Sequence, residues 1–292
     1  MRNLKFLFLG VATMAMLLSS CELAPIKPTR VRVTDEIPVK YRVRPLDEPV
    51  VMADETKVVD VRSRFLFEAY HVKGAVYLSE GDFFRRKQPG QLTTDTDGLI
   101  RRLQLKGLHP KNPVIVVGAQ LDMQLAARVA LVFVRLGFND VQVAAIEAFQ
   151  RYARGAEEAT ENAPLWTAEP VSFAASKSDL LKVLKGEEKG RVLDVRSEKQ
   201  YLSRSDFGGP YSTPNVDSIN IPFEQFFSKV DGRPSKQLKA ELSGLGLGVW
   251  DKVVLIDDRG MDSQAALMAL LGMGYRRVSY IPGGWSSFSK QQ

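Results

Sequence analysis

Hydrophobic positions fall into short runs, each closed by a carboxylate or a glycine. Val58-Val59-Asp60-Val61-Arg62-Ser63 recurs as Val192-Leu193-Asp194-Val195-Arg196-Ser197. Each reads as a buried strand that ends in a turn. Further along each half lies a second apolar run, residues 114–117 and 253–256, followed by Ala- and Leu-rich stretches of helical length, 124–136 and 263–271. A glycine stop and another strand follow both: Gly137-Phe138-Asn139-Asp140-Val141 and Gly274-Tyr275-Arg276-Arg277-Val278. Strands alternating with helices predict an α/β protein of two domains, each a doubly wound, mainly parallel sheet flanked by helices.

The boundaries follow from the breaks in this pattern. The first domain is placed at 51–153 and the second at 171–292; the polar stretch 154–170, with Pro164 and Pro170, reads as a linker. Ser176 and Asp179 frame the start of an amphipathic helix carrying Leu180, Leu181, Val183 and Leu184. Residues 21–50 hold Pro25, Pro28, Pro38, Pro45 and Pro49 with no helical period. They read as a semi-extended tether, basic through Lys27, Arg30, Arg32, Lys40, Arg42 and Arg44.

The first 20 residues have a different character. Arg2 and Lys5 precede an apolar run at 6–18. That run is shorter than the roughly 20 residues needed to span a bilayer, and the pattern is that of a signal peptide. Leu18-Ser19-Ser20-Cys21 resembles the bacterial lipoprotein signal, in which cleavage precedes a cysteine that is then lipidated. The resemblance implies a membrane anchor at Cys21 and a place in the bacterial cell envelope. Glu22, rather than Asp, points to the outer membrane facing the periplasm. Cys21 is the single cysteine of the chain. Loss of residues 1–20 would remove Arg2 and Lys5 and lower the net charge from +6 to +4.

A length of 292 residues, 45% hydrophobic and 25% charged, suits two globular domains. The basic excess is spread along the chain rather than clustered, which argues against nucleic acid as a partner. Two histidines, His71 and His109, are too few for a zinc site or a histidine-based triad. His71 reads as a surface loop residue and His109 as part of a turn before a strand.

In order and spacing these segments are similar to the tandem rhodanese (thiosulfate sulfurtransferase-like) family. The first half has Val-Val-Asp-Val-Arg-Ser and His71-Val72-Lys73-Gly74-Ala75-Val76. The second has Leu-Asp-Val-Arg-Ser, Ser218-Ile219-Asn220-Ile221-Pro222-Phe223, and a closing Gly274-Tyr275 with Pro282-Gly283-Gly284-Trp285. Two departures stand out. Ala145-Ile146-Glu147-Ala148 occupies the place of Gly-Gly-Trp in the first half, and Pro214-Asn215-Val216-Asp217 that of His-Ile-Pro-Gly in the second.

The resemblance implies a catalytic cysteine after the strand at 253–256, in a loop CxxGxxS/A whose N–H groups lower the thiol pKa. Aligned on Gly260 and Ser263, that position is Asp257; in the first half it is Gly118. A carboxylate cannot form a persulfide, and glycine has no side chain, so ordinary sulfur transfer is excluded and no catalytic residue is expected. Phosphatases that use a cysteine and a closing arginine are excluded as well, since Ser263 and Gln124 stand at the loop ends. An aspartyl phosphatase needs Asp-x-Asp, and Arg259 occupies the second acidic position.

Asp257, Asp258, Arg259, Gly260, Asp262 and Ser263 remain the candidate binding loop. Three carboxylates, Asp257, Asp258 and Asp262, allow a hard divalent cation there. In the structural alternative, Asp262 caps the following helix and Asp257 accepts N–H bonds from its own loop. Asp60 with Arg62, and Asp194 with Arg196, are expected to brace the turns, and Trp285 to pack in the core. The expected function is that of a membrane-anchored, catalytically inactive rhodanese-like scaffold or sensor, without cofactor, that binds an envelope protein. The alternatives are a sulfurtransferase-class enzyme by fold, and an anion- or metal-binding module using the acidic loop.

Overall fold

The computed structural model describes residues 29–31, 52–85, 91–202 and 218–288. The signal peptide, Cys21, most of the 21–50 tether and the 214–217 departure lie outside the described residues.

A short strand, β1 (Thr29–Val31), comes first. The first domain then contains β2 (Lys57–Asp60), α1 (Arg64–Ala69), β3 (His71–Val72), β4 (Val76–Tyr77), α2 (Glu80–Phe83), α3 (Thr96–Leu105), β5 (Val114–Gly118), α4 (Gln124–Arg135), β6 (Val141–Ala145) and β7 (Tyr152–Ala153). After β8 (Trp166–Ala168), the second has α5 (Lys177–Leu184), β9 (Arg191–Asp194), α6 (Glu198–Leu202), β10 (Ser218–Asn220), α7 (Lys236–Gly244), β11 (Lys252–Ile256), α8 (Asp262–Gly272) and β12 (Arg277–Tyr280).

Each domain is built on a four-stranded parallel sheet, ordered β4-β2-β5-β6 in the first and β10-β9-β11-β12 in the second. The two orders are the same permutation, so the repeat in sequence is a repeat in topology. Asp60 is level with Val117 and Asp194 with Ile256. The acidic strand ends and the loops after β5 and β11 therefore share one edge of each sheet, where open α/β sheets place their clefts.

The helices after those loops form the centre of the molecule. α8 is buried on every side from Ser263 to Gly272, and α4 from Ala126 to Val134. A helix apolar all round belongs inside. The two pack on each other, with Ala126, Ala127 and Ala130 of α4 and Ala265, Ala266 and Ala269 of α8 removed from solvent. Small side chains let the backbones approach, and one hydrophobic cluster runs through both domains. Among the described residues no helix is long and apolar enough to cross a membrane.

One expectation needs correction, and two gain detail. The 154–170 linker carries a strand, β8, which pairs in parallel with β1, Thr29 opposite Trp166. Trp166 is buried; its Nε1 donates to the Leu108 carbonyl at 3.0 Å, and its own carbonyl accepts from Gln104 Nε2 at 2.8 Å. One aromatic anchor in a polar stretch escapes a reading by composition. That pairing makes residues 29–31 of the semi-extended tether a strand. Lastly, His71 is buried in β3: its ring stacks on Phe67 at 4.0 Å and Nδ1 donates to the Phe67 carbonyl at 2.8 Å. A satisfied imidazole packs there as an aromatic would.

Candidate functional site

The loop between β11 and α8 reverses the chain tightly. Gly260 takes φ +82°, and a Cβ there would lie 2.7 Å from the Gly283 nitrogen. The Pro282–Trp285 segment forms the wall behind the loop. Trp285 N–H donates to the Asp257 carbonyl at 2.8 Å and Ser286 N–H to that of Asp258 at 3.0 Å. Gly284 makes this approach possible, since a Cβ on it would fall 2.1 Å from the Asp257 carbonyl oxygen.

The reversal turns the Asp257 side chain back over the start of α8. Its Oδ1 accepts from the Gly260 N–H at 2.7 Å and the Ser263 hydroxyl at 2.9 Å. Its Oδ2 accepts from the Met261 and Asp262 N–H groups, both at 2.9 Å. The donors a helix start leaves free are thus satisfied by a residue upstream of the helix. Capping by Asp262 is the expectation this overturns. Met261 holds the N-cap position, and the Asp262 carboxylate accepts instead from Gln124 Nε2 of α4. Burial raises the Asp257 carboxyl above its ordinary value, against the pull of its four donors.

The neighbouring carboxylates point elsewhere. Asp258 accepts from Gln200 Nε2 at 3.1 Å and lies 3.8 Å from Arg196 Nη1. Arg196 is already forked onto Asp194 at 2.7–3.1 Å, and Trp285 Nε1 donates to Asp194 at 3.0 Å. Asp60 and Arg62 repeat this clamp in the first domain. Both pairs brace turns, and Trp285 is buried in the core. Burial raises the carboxyls of Asp258 and Asp262 too, opposed by Arg196 for the former and Gln124 for the latter. The three loop acids diverge, and among the described residues no group of three His, Cys, Asp or Glu could hold a metal. Arg259 is exposed and makes no hydrogen bond or salt bridge among the described residues.

The equivalent place in the first domain is closed. A Cβ on Gly118 would lie 2.9 Å from Ala126 Cβ and 3.2 Å from Met123 Sδ, so that space is filled. Residues 228–233 of the second domain are strapped across it. Gln120 Nε2 donates to the carbonyls of Lys229 and Val230, and Ala145 N–H to that of Asp231 at 2.8 Å. Gly232, at φ +67°, lies so near that a Cβ would meet Met123 Sδ at 2.7 Å. Sequence reasoning missed this strap; the Asp231-Gly232 turn dipeptide was its one local sign.

A family model described as a rhodanese-like domain matches residues 45–145 and again 177–291. The chain belongs to the rhodanese-like family.

Solved structures agree on the fold. SseA from Escherichia coli, described as a 3-mercaptopyruvate sulfotransferase with the rhodanese fold, is 15% identical with a TM-score of 0.62, over 80% of this chain and 93% of SseA. YnjE is 18% identical, TM-score 0.62, over 84% of this chain and 62% of its own. EanB is 17% identical, TM-score 0.63, over 84% and 64%. This rhodanese-like chain thus spans less than two thirds of YnjE and EanB. No curated protein matches it. Neither rhodanese-like domain contains a cysteine, and the loop after β11 opens with Asp257.

Proposed function

We propose that this rhodanese-like protein has no sulfurtransferase activity and works by binding, as a scaffold or sensor tethered to a membrane of the bacterial envelope through Cys21. The supporting observation is the occupancy of the loop cradle. Asp257 consumes the four donors that could otherwise stabilise a thiolate or persulfide. Sulfane-sulfur transfer requires a bond between two sulfurs at this point, and a carboxylate offers none. The first-domain site has neither a side chain nor space. The envelope assignment rests on the charged and apolar N-terminus before Cys21, with Glu22 favouring the outer membrane, periplasmic side. The partner under this reading is an envelope protein.

The purified chain, incubated with cyanide and either thiosulfate or 3-mercaptopyruvate, is expected to form no thiocyanate above the enzyme-free blank. Turnover that persists in Cys21→Ser would sink the inactive reading. The anchor has its own test. Labelled palmitate should enter the wild-type protein in cells and not Cys21→Ser; equal labelling of both would remove the anchor.

A further inference from the structure

On the side where the 154–170 connection enters the second domain, a cavity of about 420 Å³ lies between the domains. Arg135, at the end of α4, lines it from the first domain and Arg259, in the Asp257 loop, from the second. No carboxylate lines it among the described residues; the nearest in sequence, Asp258, attracts Arg259 electrostatically from outside the lining. The Arg135 Nε donates to the Val171 carbonyl at 2.8 Å, which orients the guanidinium. Burial pulls the Arg135 pKa down, and no carboxylate is present to offset that cost. Thr93, Thr96, Ser172 and Tyr280, all hydroxyl-bearing, also line the cavity. Tyr280 is buried, and its hydroxyl has no hydrogen bond among the described residues.

A cation withdrawn from water without a counter-charge is costly, and two guanidiniums at one cavity reinforce each other's positive potential. The planar arginine fork matches tetrahedral oxyanions, donating two parallel bonds to neighbouring oxygens. The hydroxyls supply neutral donors for the remaining oxygens. We infer that this cavity binds a small molecule bearing a phosphate or sulfate group, held between Arg135 and Arg259. Such a ligand bridges the two domains and touches the loop that carries Asp257. The site shares no donor with the Asp257 cradle, and it stands whether or not the chain transfers sulfur.

Inorganic phosphate and sulfate are the probes, titrated by calorimetry into the full chain at ionic strength held constant with chloride. Saturable binding is expected, with a rise in melting temperature over the chloride control. Loss of one charge-assisted pair should weaken it about tenfold to a hundredfold in Arg259→Gln and in Arg135→Gln. Arg259 is exposed, so its variant should fold and keeps the test decisive even where Arg135→Gln does not. Effects that chloride reproduces, or binding by Arg259→Gln equal to wild type, would overturn the site.

Discussion

At position 257 a buried carboxylate accepts four hydrogen bonds from its own loop and the start of α8, against the burial that disfavours its charge. Removing it in Asp257→Ala leaves four donors without an acceptor. The expected loss is about 3 kcal/mol in urea unfolding, partly recovered by added formate, which fits the vacated space. Asp257→Cys tests the cradle from the other side. Burial outweighs the donors for the carboxylate, so the thiol should likewise titrate above the ordinary value of about 8.5, measured by the pH dependence of alkylation in a Cys21→Ser background. A thiol below that value would mean that the four donors outweigh burial for sulfur.

Asp262 sets a pH dependence. Its carboxyl is raised above 3.8 chiefly by burial, so the folded chain holds that proton more tightly than the unfolded chain. Its contribution therefore falls as pH climbs from about the unfolded value to the raised folded one, and is level above. Asp262→Asn keeps an oxygen for Gln124 and should lack this fall. Parallel melting curves for the two proteins across that window would refute the assignment. The identity of residue 257 was legible in the sequence, and so was the bonding of its carboxylate to its own loop. The displacement of Asp262 from capping was not legible, because it depends on Gln124 of another helix.

Among the elements, the paired strand–loop–helix units after β5 and β11 were legible, since their apolar runs and glycine stops are local. The Ser176–Asp179 cap formed as its spacing predicted: Ser176 Oγ accepts from the Asp179 N–H at 3.1 Å and Asp179 accepts in return at 2.9 Å. Connections were less legible, because their order comes from one or two long-range contacts. Trp166→Ala is expected to cost about 3–5 kcal/mol, as befits an aromatic anchor; a change within 0.5 kcal/mol would show that Trp166 does not anchor the linker. Gly284→Ala forces a methyl group onto the Asp257 carbonyl and should cost about 3 kcal/mol or more. The same measurement on Gly186→Ala, where nothing lies within 4 Å, isolates the cost of positive φ alone.

For the whole molecule, the decisive contact is α4 against α8, reinforced by the 228–233 strap. A core continuous across both domains predicts one calorimetric transition with equal van't Hoff and calorimetric enthalpies. Two resolved transitions would show that the domains are thermodynamically separate. Ala269→Leu should lower that transition by overpacking the helix seam, at about 1–3 kcal/mol. By itself, the sequence determined the duplicated α/β architecture, the absence of a thiol from both domains and the acid at the loop's first position. These follow from periodicity and residue identity, which are local. Tertiary structure alone decided the burial of His71 and Trp166, the sealing of the Gly118 site by a strap from the other domain, and the meeting of Arg135 with Arg259 at one cavity. Trp166 with Gln104 and Leu108, His71 paired across to Ala153, the strap and the two arginines all join residues far apart in the chain, a relation that no local pattern carries.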